Sequence, residues 1–481
     1  MQYYLKIALK FGILIALSPI FTACLATLPD SKSLTNSLKF NNTLLISHSK
    51  TIKTNTNPKE QIELLFLDSN LNALLELAIA KNLDLQITQA RILQAQSQLK
   101  SAWSLLFPQI NATLNTSSNN TRTNTTPTIE TRTNTTQIGA TLSWELDLFG
   151  RLRHTKNAKE SLYQKSLQDL ENAKITLFAE IANLYFTLLE TRENLFLTKE
   201  NIAYYQEALE LTRLKVENGL LDSTELFEKQ DLLTEEQNTL ERLKSLEEES
   251  KNALLILLDL NLDSNFLPLK ISKTLPTPKT HFNLNTLPAD TLLSRPDIKA
   301  ALFSLHAQIY TKANAKASLF PILSISANIN DILTSNTQSS GNLAWGFASS
   351  LSAPLLNRTQ LTQNYFLQDA LLKESFLMLQ KSIKNAFFEI ENASFNVNSA
   401  HTKLQNSQIR LNNAQNYYDF SLNRHSIGLI DTREHALNSA SLNNAKKSLN
   451  TAKSENLKSL LALYKAFGGN LNLQKDFNAH N

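Results

Sequence analysis

The chain has 481 residues, of which 47 are lysine or arginine and 43 are aspartate or glutamate, so its formal charge is +4 at pH 7. Its basic residues are interspersed with acidic ones, which argues against a nucleic-acid-binding protein. Nine glycines are few for an enzyme built on many tight turns, and they favour long uninterrupted helices.

Residues 1–23 have the features of a secretory signal peptide. Lys6 and Lys10 supply a positive start, an apolar stretch follows, and Phe21-Thr22-Ala23 precede the predicted cleavage site. Cys24, the only cysteine, comes next, which predicts a lipobox with Cys24 as the lipidated first residue of the mature protein; the alternative is a free thiol. Residues 24–68 are then predicted to be an extended, lipid-anchored segment.

The rest of the chain is predicted to contain two copies of one structural unit, over 69–285 and 286–470, with a C-terminal tail over 471–481. Each copy has a Phe-Pro dipeptide, at Phe107-Pro108 or Phe320-Pro321. In both copies this dipeptide leads into two alternating stretches, a long helix, a Gly-Leu-x-Asp turn and a return helix. Such a duplication is unusual for a globular enzyme.

Four stretches alternate apolar and polar residues, which predicts β-strands with one apolar face. The predicted strands lie near 109–117, 137–148, 322–331 and 343–353, and the polar segments 115–137 and 331–342 are predicted to be loops. A soluble β-sandwich would show the same pattern. The strand lengths favour a transmembrane β-barrel, since a tilted membrane strand needs about 9–11 residues. Four strands cannot close a barrel, so the chain is predicted to assemble with copies of itself as a dimer or a trimer.

The long helices carry apolar residues at every seventh position. They are predicted over 151–218, 223–259, 358–425 and 432–467, and a further helix is predicted over 296–319. A seven-residue repeat predicts left-handed, coiled-coil-like packing with a narrow apolar seam and a wide polar surface. Both a helical wall around water and an ordinary extended coiled coil would show this pattern.

The sequence contains no pattern typical of an enzyme. A glycine-rich phosphate loop, a His/Cys metal cluster and a nucleophile motif are all missing from it. The histidines are dispersed, although His425 and His435 lie on either side of the second turn. We therefore predict no catalytic residue, no metal and no cofactor.

Several motifs give the chain a resemblance to a known family. They are Cys24 after a signal peptide, Trp144-Glu145-Leu146-Asp147-Leu148-Phe149-Gly150-Arg151, Ser294-Arg295-Pro296-Asp297-Ile298, Ala317-Ser318-Leu319-Phe320-Pro321, the two Gly-Leu-x-Asp turns, and Tyr464-Lys465-Ala466-Phe467-Gly468-Gly469. With them the chain resembles the outer-membrane efflux lipoproteins of the TolC-like superfamily, in the branch that serves RND-type tripartite pumps.

This resemblance implies a mainly α-helical homotrimeric channel with a β-barrel part. Each protomer would supply four strands and the long coiled-coil-like helices, giving a twelve-stranded barrel in the outer membrane and a helical tunnel in the periplasm. The implied function is a passive exit duct for drugs or other small toxic compounds. The implied partners are a periplasmic adaptor, an inner-membrane RND-type transporter and outer-membrane lipid.

The resemblance also implies a gate where the helix–turn–helix tips close the periplasmic end. The residues implied in this gate are Gly219, Asp222, Arg424, His425, Gly428 and Asp431. Relatives often carry a tyrosine at the position of His425, which leaves Arg424 as a candidate partner in the closed state. From the residues alone, Asp222 and Asp431 are equally well explained as helix N-caps, a role for which Ser223 and Thr432 compete.

Two other functions fit parts of the sequence. A duct for type I protein secretion would have the same architecture, whereas Cys24 and the Arg-Pro-Asp stretch favour the pump-associated branch. A surface-anchored coiled-coil structural protein would explain the helices, but it leaves the four alternating stretches unexplained.

Overall fold

The structure is a computed structural model, and it describes residues 58–123, 129–261, 274–278, 289–334 and 342–471. Cys24 and the predicted signal peptide lie outside these residues. The described helices are α1 Pro58–Phe66, α2 Ser69–Lys81, α3 Leu83–Ser104, α4 Arg151–Glu217, α5 Ser223–Leu257, α6 Ala289–Ser294, α7 Pro296–Ala317, α8 Arg358–Ser426 and α9 Thr432–Ala466. The described strands are β1 Gln109–Thr123, β2 Ile129–Leu146, β3 Ile322–Thr334 and β4 Asn342–Ser352. A mainly helical chain with four strands was predicted, and this is confirmed.

The strands form one antiparallel sheet in the order β1-β2-β3-β4. One row across the sheet joins Ile110 to Leu142, Leu142 to Ala327, and Ala327 to Phe347. The central pairing of β2 with β3 joins the two sequence copies in a single sheet. Consequently β1 and β4 are the two edges.

The first hairpin is longer than the sequence pattern predicted. Segment 115–137 was predicted to be a loop, yet most of it continues the ladder between β1 and β2. Threonine favours strands because it is β-branched, and polar pairs connect the two strands. Ser118 Oγ donates to Asn134 Oδ1 at 2.6 Å, and Arg122 lies 3.5 Å from Glu130. β3 likewise continues to Thr334, beyond the predicted loop start at 331.

Strand β2 passes directly into the long helix α4. The Asp147 carboxylate accepts hydrogen bonds from the Leu152 and Arg153 amides at 3.1 and 2.8 Å, which satisfies amides of the first helical turn. Arg151 donates to both carboxylate oxygens of Glu145. The motif that carried the family resemblance therefore fixes the strand-to-helix junction.

The chain divides into two compact units, of which one contains the sheet. It comprises Ala90–Leu167 and Ala300–Lys381 in the described part of the chain. Aromatic side chains lie at the ends of its strands. Phe149 stacks on Phe320 with ring centroids 4.8 Å apart, and the Trp144 indole donates to the Leu106 carbonyl at 3.0 Å.

The second unit contains the main hydrophobic core and includes residues 58–89, the described part of 168–299, and 382–471. Phe178, Tyr185, Phe186 and Tyr464 are among its largest fully buried side chains. Residues 24–68 were predicted to be extended, but 58–66 form helix α1. The reason is that Ile62, Leu65 and Phe66 lie on one helical face and are buried in this core.

The coiled-coil seam changes character along α4. Ile181 and Leu188 are fully buried, whereas further along the helix Asn201 is fully buried among polar groups. The Asn201 amide donates to Glu236 of α5 at 3.2 Å and to Asn444 of α9 at 2.9 Å. Polar contacts of this kind fix the register of helices, since each buried group requires its partner. In the described part of the chain, no helix combines the length and apolarity needed to cross a bilayer.

The Arg295 guanidinium makes hydrogen bonds to several partners within the second unit. Its side chain is only 7 % exposed, and it donates to both carboxylate oxygens of Asp297 at 3.0 and 2.8 Å. It also donates to Glu389 of α8 at 2.8 Å and to the Ala466 carbonyl at the end of α9. Gly468 lies against it with φ +64°, where an added Cβ would come within 2.9 Å of Arg295 Cγ. Arg295 thus joins three segments that are distant in sequence.

We expect Arg295→Met to lower the free energy of unfolding by about 2 kcal/mol, because it leaves the buried Ala466 carbonyl without its donor and removes the cation that pairs with the partly exposed Asp297 and Glu389. Chemical unfolding of the purified protein, followed by the helical circular dichroism signal, measures this change. The matched control is Arg410→Met on the exposed face of α8, for which we expect a change within about 0.5 kcal/mol. Equal stability of the two variants would contradict the role of Arg295.

Candidate functional site

Two helix–turn–helix tips share the same backbone geometry. After α4, Gly219 has φ +70°, its amide donates to the Val216 carbonyl, and the Leu220 amide donates to the Lys215 carbonyl. After α8, Gly428 has φ +75° and makes the equivalent bond to the His425 carbonyl. This is a Schellman motif, and it uses glycine because a left-handed conformation strains residues that carry a Cβ.

Each tip ends in an aspartate that begins the return helix. The Asp222 carboxylate accepts a hydrogen bond from the Thr224 amide at 2.7 Å and caps α5. The Asp431 carboxylate accepts from the Glu434 amide at 2.8 Å and caps α9. The aspartates, and not Ser223 or Thr432, are therefore the N-caps of the return helices.

The two aspartates differ in what else they contact. Asp431 forms an ion pair with Lys215, in the last turn of α4, and this pair joins the second tip to the first. A second ion pair runs in parallel, since Arg433 donates to Glu225 of α5 at 2.8 Å. Asp222 is exposed, and its carboxylate accepts a hydrogen bond from within its own turn. We call the Lys215–Asp431 and Arg433–Glu225 pairs the tip latch.

Electrostatics keep the Asp431 carboxylate charged. Burial opposes the charged form, but the hydrogen bonds from Lys215 and the Glu434 amide outweigh it, and the pKa of Asp431 lies below its usual value of 3.8. A carboxylate with a lowered pKa contributes stability above its unfolded pKa and loses it as the pH falls through the folded value. The Lys215–Asp431 pair is therefore intact throughout the neutral and mildly acidic range.

The remaining residues implied in the gate lie at the end of α8. Arg424 is exposed, and among the described residues its side chain has no ion-pair partner; its carbonyl accepts the Leu429 amide. His425 is half-buried, with Nδ1 3.3 Å from the Ile430 carbonyl inside the turn. The structure thus places Lys215, and not Arg424, as the cation next to Asp431.

Sequence reasoning missed three of the four latch residues, namely Lys215, Glu225 and Arg433. Each lies in a helix where charged residues are common, and its partner is on another helix. Lys215 and Asp431 are 216 positions apart in sequence. The one feature of the sequence that could have indicated them is that charged residues lie close to both turns, on either side.

Comparison with known proteins identifies a family model described as outer membrane efflux protein, which matches residues 74–258 and 287–469. The two matched segments correspond to the two sequence copies. They cover more than half of the chain and include both tips.

Individual proteins are similar over most of the chain. The probable efflux pump outer membrane protein TtgC of Pseudomonas putida is 26 % identical over 412 residues, which cover 84 % of each chain. Toxin and drug export protein A of Aggregatibacter actinomycetemcomitans is 24 % identical and covers 85 % of this chain and 89 % of its own. The crystal structure of the Campylobacter jejuni CmeC outer membrane channel has a TM-score of 0.74 at 24 % identity, covering 89 % of this chain and 92 % of that one. The last similarity concerns the fold.

We expect Gly428→Ala to destabilise the second tip by about 1 kcal/mol, because Gly428 has a positive φ that alanine adopts only with strain. Faster hydrogen exchange of the Gly428 and Leu429 amides measures the effect. Asparagine tolerates a left-handed conformation, so Gly428→Asn should exchange more slowly than Gly428→Ala. A Cβ added at Gly428 would meet no atom within 4 Å, so steric crowding does not contribute to the destabilisation. Equal exchange in the alanine variant and the parent would contradict the strain argument.

Proposed function

The chain belongs to the outer membrane efflux protein family, and from this membership we propose that it is the exit duct of a tripartite efflux pump. The match over residues 74–258 and 287–469 is the observation that carries the proposal. In this function the protein conducts small toxic compounds passively from the periplasm to the exterior. The partners would be a periplasmic adaptor and an inner-membrane RND-type transporter, which selects the substrate.

The proposed duct is a homotrimer whose sheets together form a twelve-stranded barrel. The support lies in the two unpaired edges of the four-stranded sheet, because open edges are not tolerated in lipid. Apolar side chains of β4 also face outward: Trp345 is 80 % exposed and Phe347 68 % exposed. An apolar outer face is what lipid contact requires.

We propose further that the paired tips are the gate of this duct. The tip latch holds the second tip to the first, so the closed arrangement includes Lys215–Asp431 and Arg433–Glu225. Adaptor binding would open the gate by favouring a conformation in which the two tips separate, which is a shift between two existing states. Asp222, Asp431, Gly219, Gly428, Arg424 and His425 keep the gate assignments that the family resemblance implies, now with Lys215 as the ion-pair partner of Asp431.

Removing the charge of Asp431 should raise the conductance. Asparagine is as good an N-cap as aspartate, so Asp431→Asn leaves the start of α9 intact and removes the attraction to Lys215, together with a longer one to Arg433 at 3.9 Å. We expect the conductance in planar lipid bilayers to rise several-fold in Asp431→Asn, Asp431→Ala and Lys215→Met, since a half-exposed pair contributes about 0.5–1 kcal/mol in each protomer.

The matched control is Glu241→Gln, which removes an exposed carboxylate of α5 that pairs with Lys244 of the same helix and lies outside the tips. Its conductance should equal that of the parent. Because Lys215 and Asp431 act as one pair, combining Lys215→Met with Asp431→Asn should add little to either single change. Unchanged conductance in all three latch variants would remove the latch from the gate.

We also propose that Cys24 is lipidated and anchors the mature protein in the outer membrane. The support is its position directly after the predicted signal peptide. Intact mass measurement should find a mature N-terminus at residue 24 that carries acyl chains, and Cys24→Ser should lose that added mass. A mature protein with an unmodified Cys24 would contradict the anchor.

A further inference from the structure

Two histidine rings lie face to face behind the second tip. His425, in the last turn of α8, and His435, near the start of α9, have ring centroids 4.9 Å apart and an angle of 3° between the ring planes. The centroid of the Tyr418 ring of α8 lies 5.6 Å from that of His435. The stack therefore spans the two helices that the Gly428 turn connects.

The stack closes around the turn itself. His425 Nδ1 lies 3.3 Å from the carbonyl of Ile430, which is buried and precedes the capping residue Asp431. The amide of His435 donates to the carbonyl of Asp431 in the first turn of α9. A change in the stack consequently acts on both the end of α8 and the start of α9.

The surroundings of His435 favour a neutral ring. Among the described residues, its Nδ1 atom is buried without a hydrogen-bond partner. Burial and the neighbouring His425 lower the pKa of His435 below its ordinary value of 6.5, while Glu207 of α4 opposes this in part. The two carboxylates of the latch are each paired with a cation, Glu225 of α5 with Arg433 and Asp431 with Lys215.

We propose that the His425–His435 stack is an acid-sensitive switch of the second tip, packed when both rings are neutral and separated when they are protonated. Two imidazolium rings at this distance repel each other, and a proton on the buried Nδ1 atom of His435 lacks a hydrogen-bond acceptor. Mild acid would then loosen the tip and, given the proposed gate, favour the open duct.

The direction follows from linkage. A histidine whose pKa is lowered in the folded arrangement stabilises that arrangement while it is neutral, and the contribution is lost as the pH falls below the unfolded value of about 6.5. The pKa of the Asp431 carboxylate in the latch lies below 3.8, outside this range. A response between pH 7.5 and 5.0 therefore belongs to the histidines, and each unit of pKa difference changes the equilibrium about tenfold.

The test compares the full-length protein with His435→Phe, which keeps an aromatic ring against His425 and Tyr418 but cannot gain a charge. Hydrogen exchange of the segment 418–435 is measured at several pH values between 7.5 and 5.0. Comparison of the two proteins at the same pH cancels the intrinsic effect of pH on exchange. We expect the parent to lose protection relative to His435→Phe by up to about tenfold as the pH falls.

Planar-bilayer conductance over the same pH range separates this inference from the proposed function, on which its gating consequence rests. Conductance that rises with acid in the parent and stays constant in His435→Phe supports both. Acid-dependent exchange in a protein that forms no pores would keep the switch and overturn the duct. Pores whose exchange and conductance respond to acid equally in the parent and in His435→Phe would overturn the switch.

Two further variants guard against a folding defect and a general histidine effect. His425→Phe replaces the other imidazole of the stack with a ring that cannot gain a charge, and this variant should lose the response in the same way. His401→Gln changes an exposed histidine on α8 and should retain the full response of the parent. A loss of the response in His401→Gln would contradict the assignment to the stacked pair.

Discussion

An antiparallel sheet of four strands has two edges, and in this chain the edges are β1 and β4. An edge strand presents a row of unpaired amides and carbonyls, and natural proteins shorten, charge or cover such edges. β1 is instead 15 residues long and exposed along its whole length. The apolar residues Ile110 and Leu114 on it are also exposed. A single chain therefore leaves both its hydrogen bonds and its apolar surface unfinished.

The proposed pairing with identical chains and contact with lipid would resolve both parts of this constraint together. Pairing between two copies of the unit already occurs within one chain, because β2 of the first copy pairs with β3 of the second. The helices of the second unit obey a different constraint, since they are largely polar and still have to pack in one register. The Arg295 contacts and the Asn201–Glu236–Asn444 contacts supply that register by pairing groups whose burial would otherwise be costly.

The sequence predicted those features that depend on local periodicity. Alternation of two located the four strands, the seven-residue repeat located the long helices, and the two glycines located the tips where φ is positive. Prediction failed where tertiary contacts outweigh local pattern. The threonine-rich segment 115–137 looked like a loop because polarity dominated, whereas pairing along β1 and β2 makes it a ladder. Helix α1 was missed because its apolar face has meaning only against the core of the second unit.

The candidate site divides along the same line. The capping of α5 and α9 by Asp222 and Asp431 is a local property, and the turn motif was sufficient to suggest it. The pairing of Asp431 with Lys215 is not local, because it depends on how α4 and α9 pack. Similarly, the sequence showed only that His425 and His435 lie on either side of the second turn, and it is the packing of α8 against α9 that brings their rings into contact. The proposed function of the tip thus depends on contacts between helices, which are positioned by turns that the sequence does reveal.

The central claim is that three copies of the chain complete one membrane channel. The mass and outline of the particle extracted from membranes in mild detergent test it most directly. For a trimeric channel we expect a protein mass of three mature chains and a detergent belt around the strand region, with an elongated helical part projecting from it. A monomer, or an elongated particle without a detergent belt, would contradict the account and favour a surface-anchored coiled-coil protein.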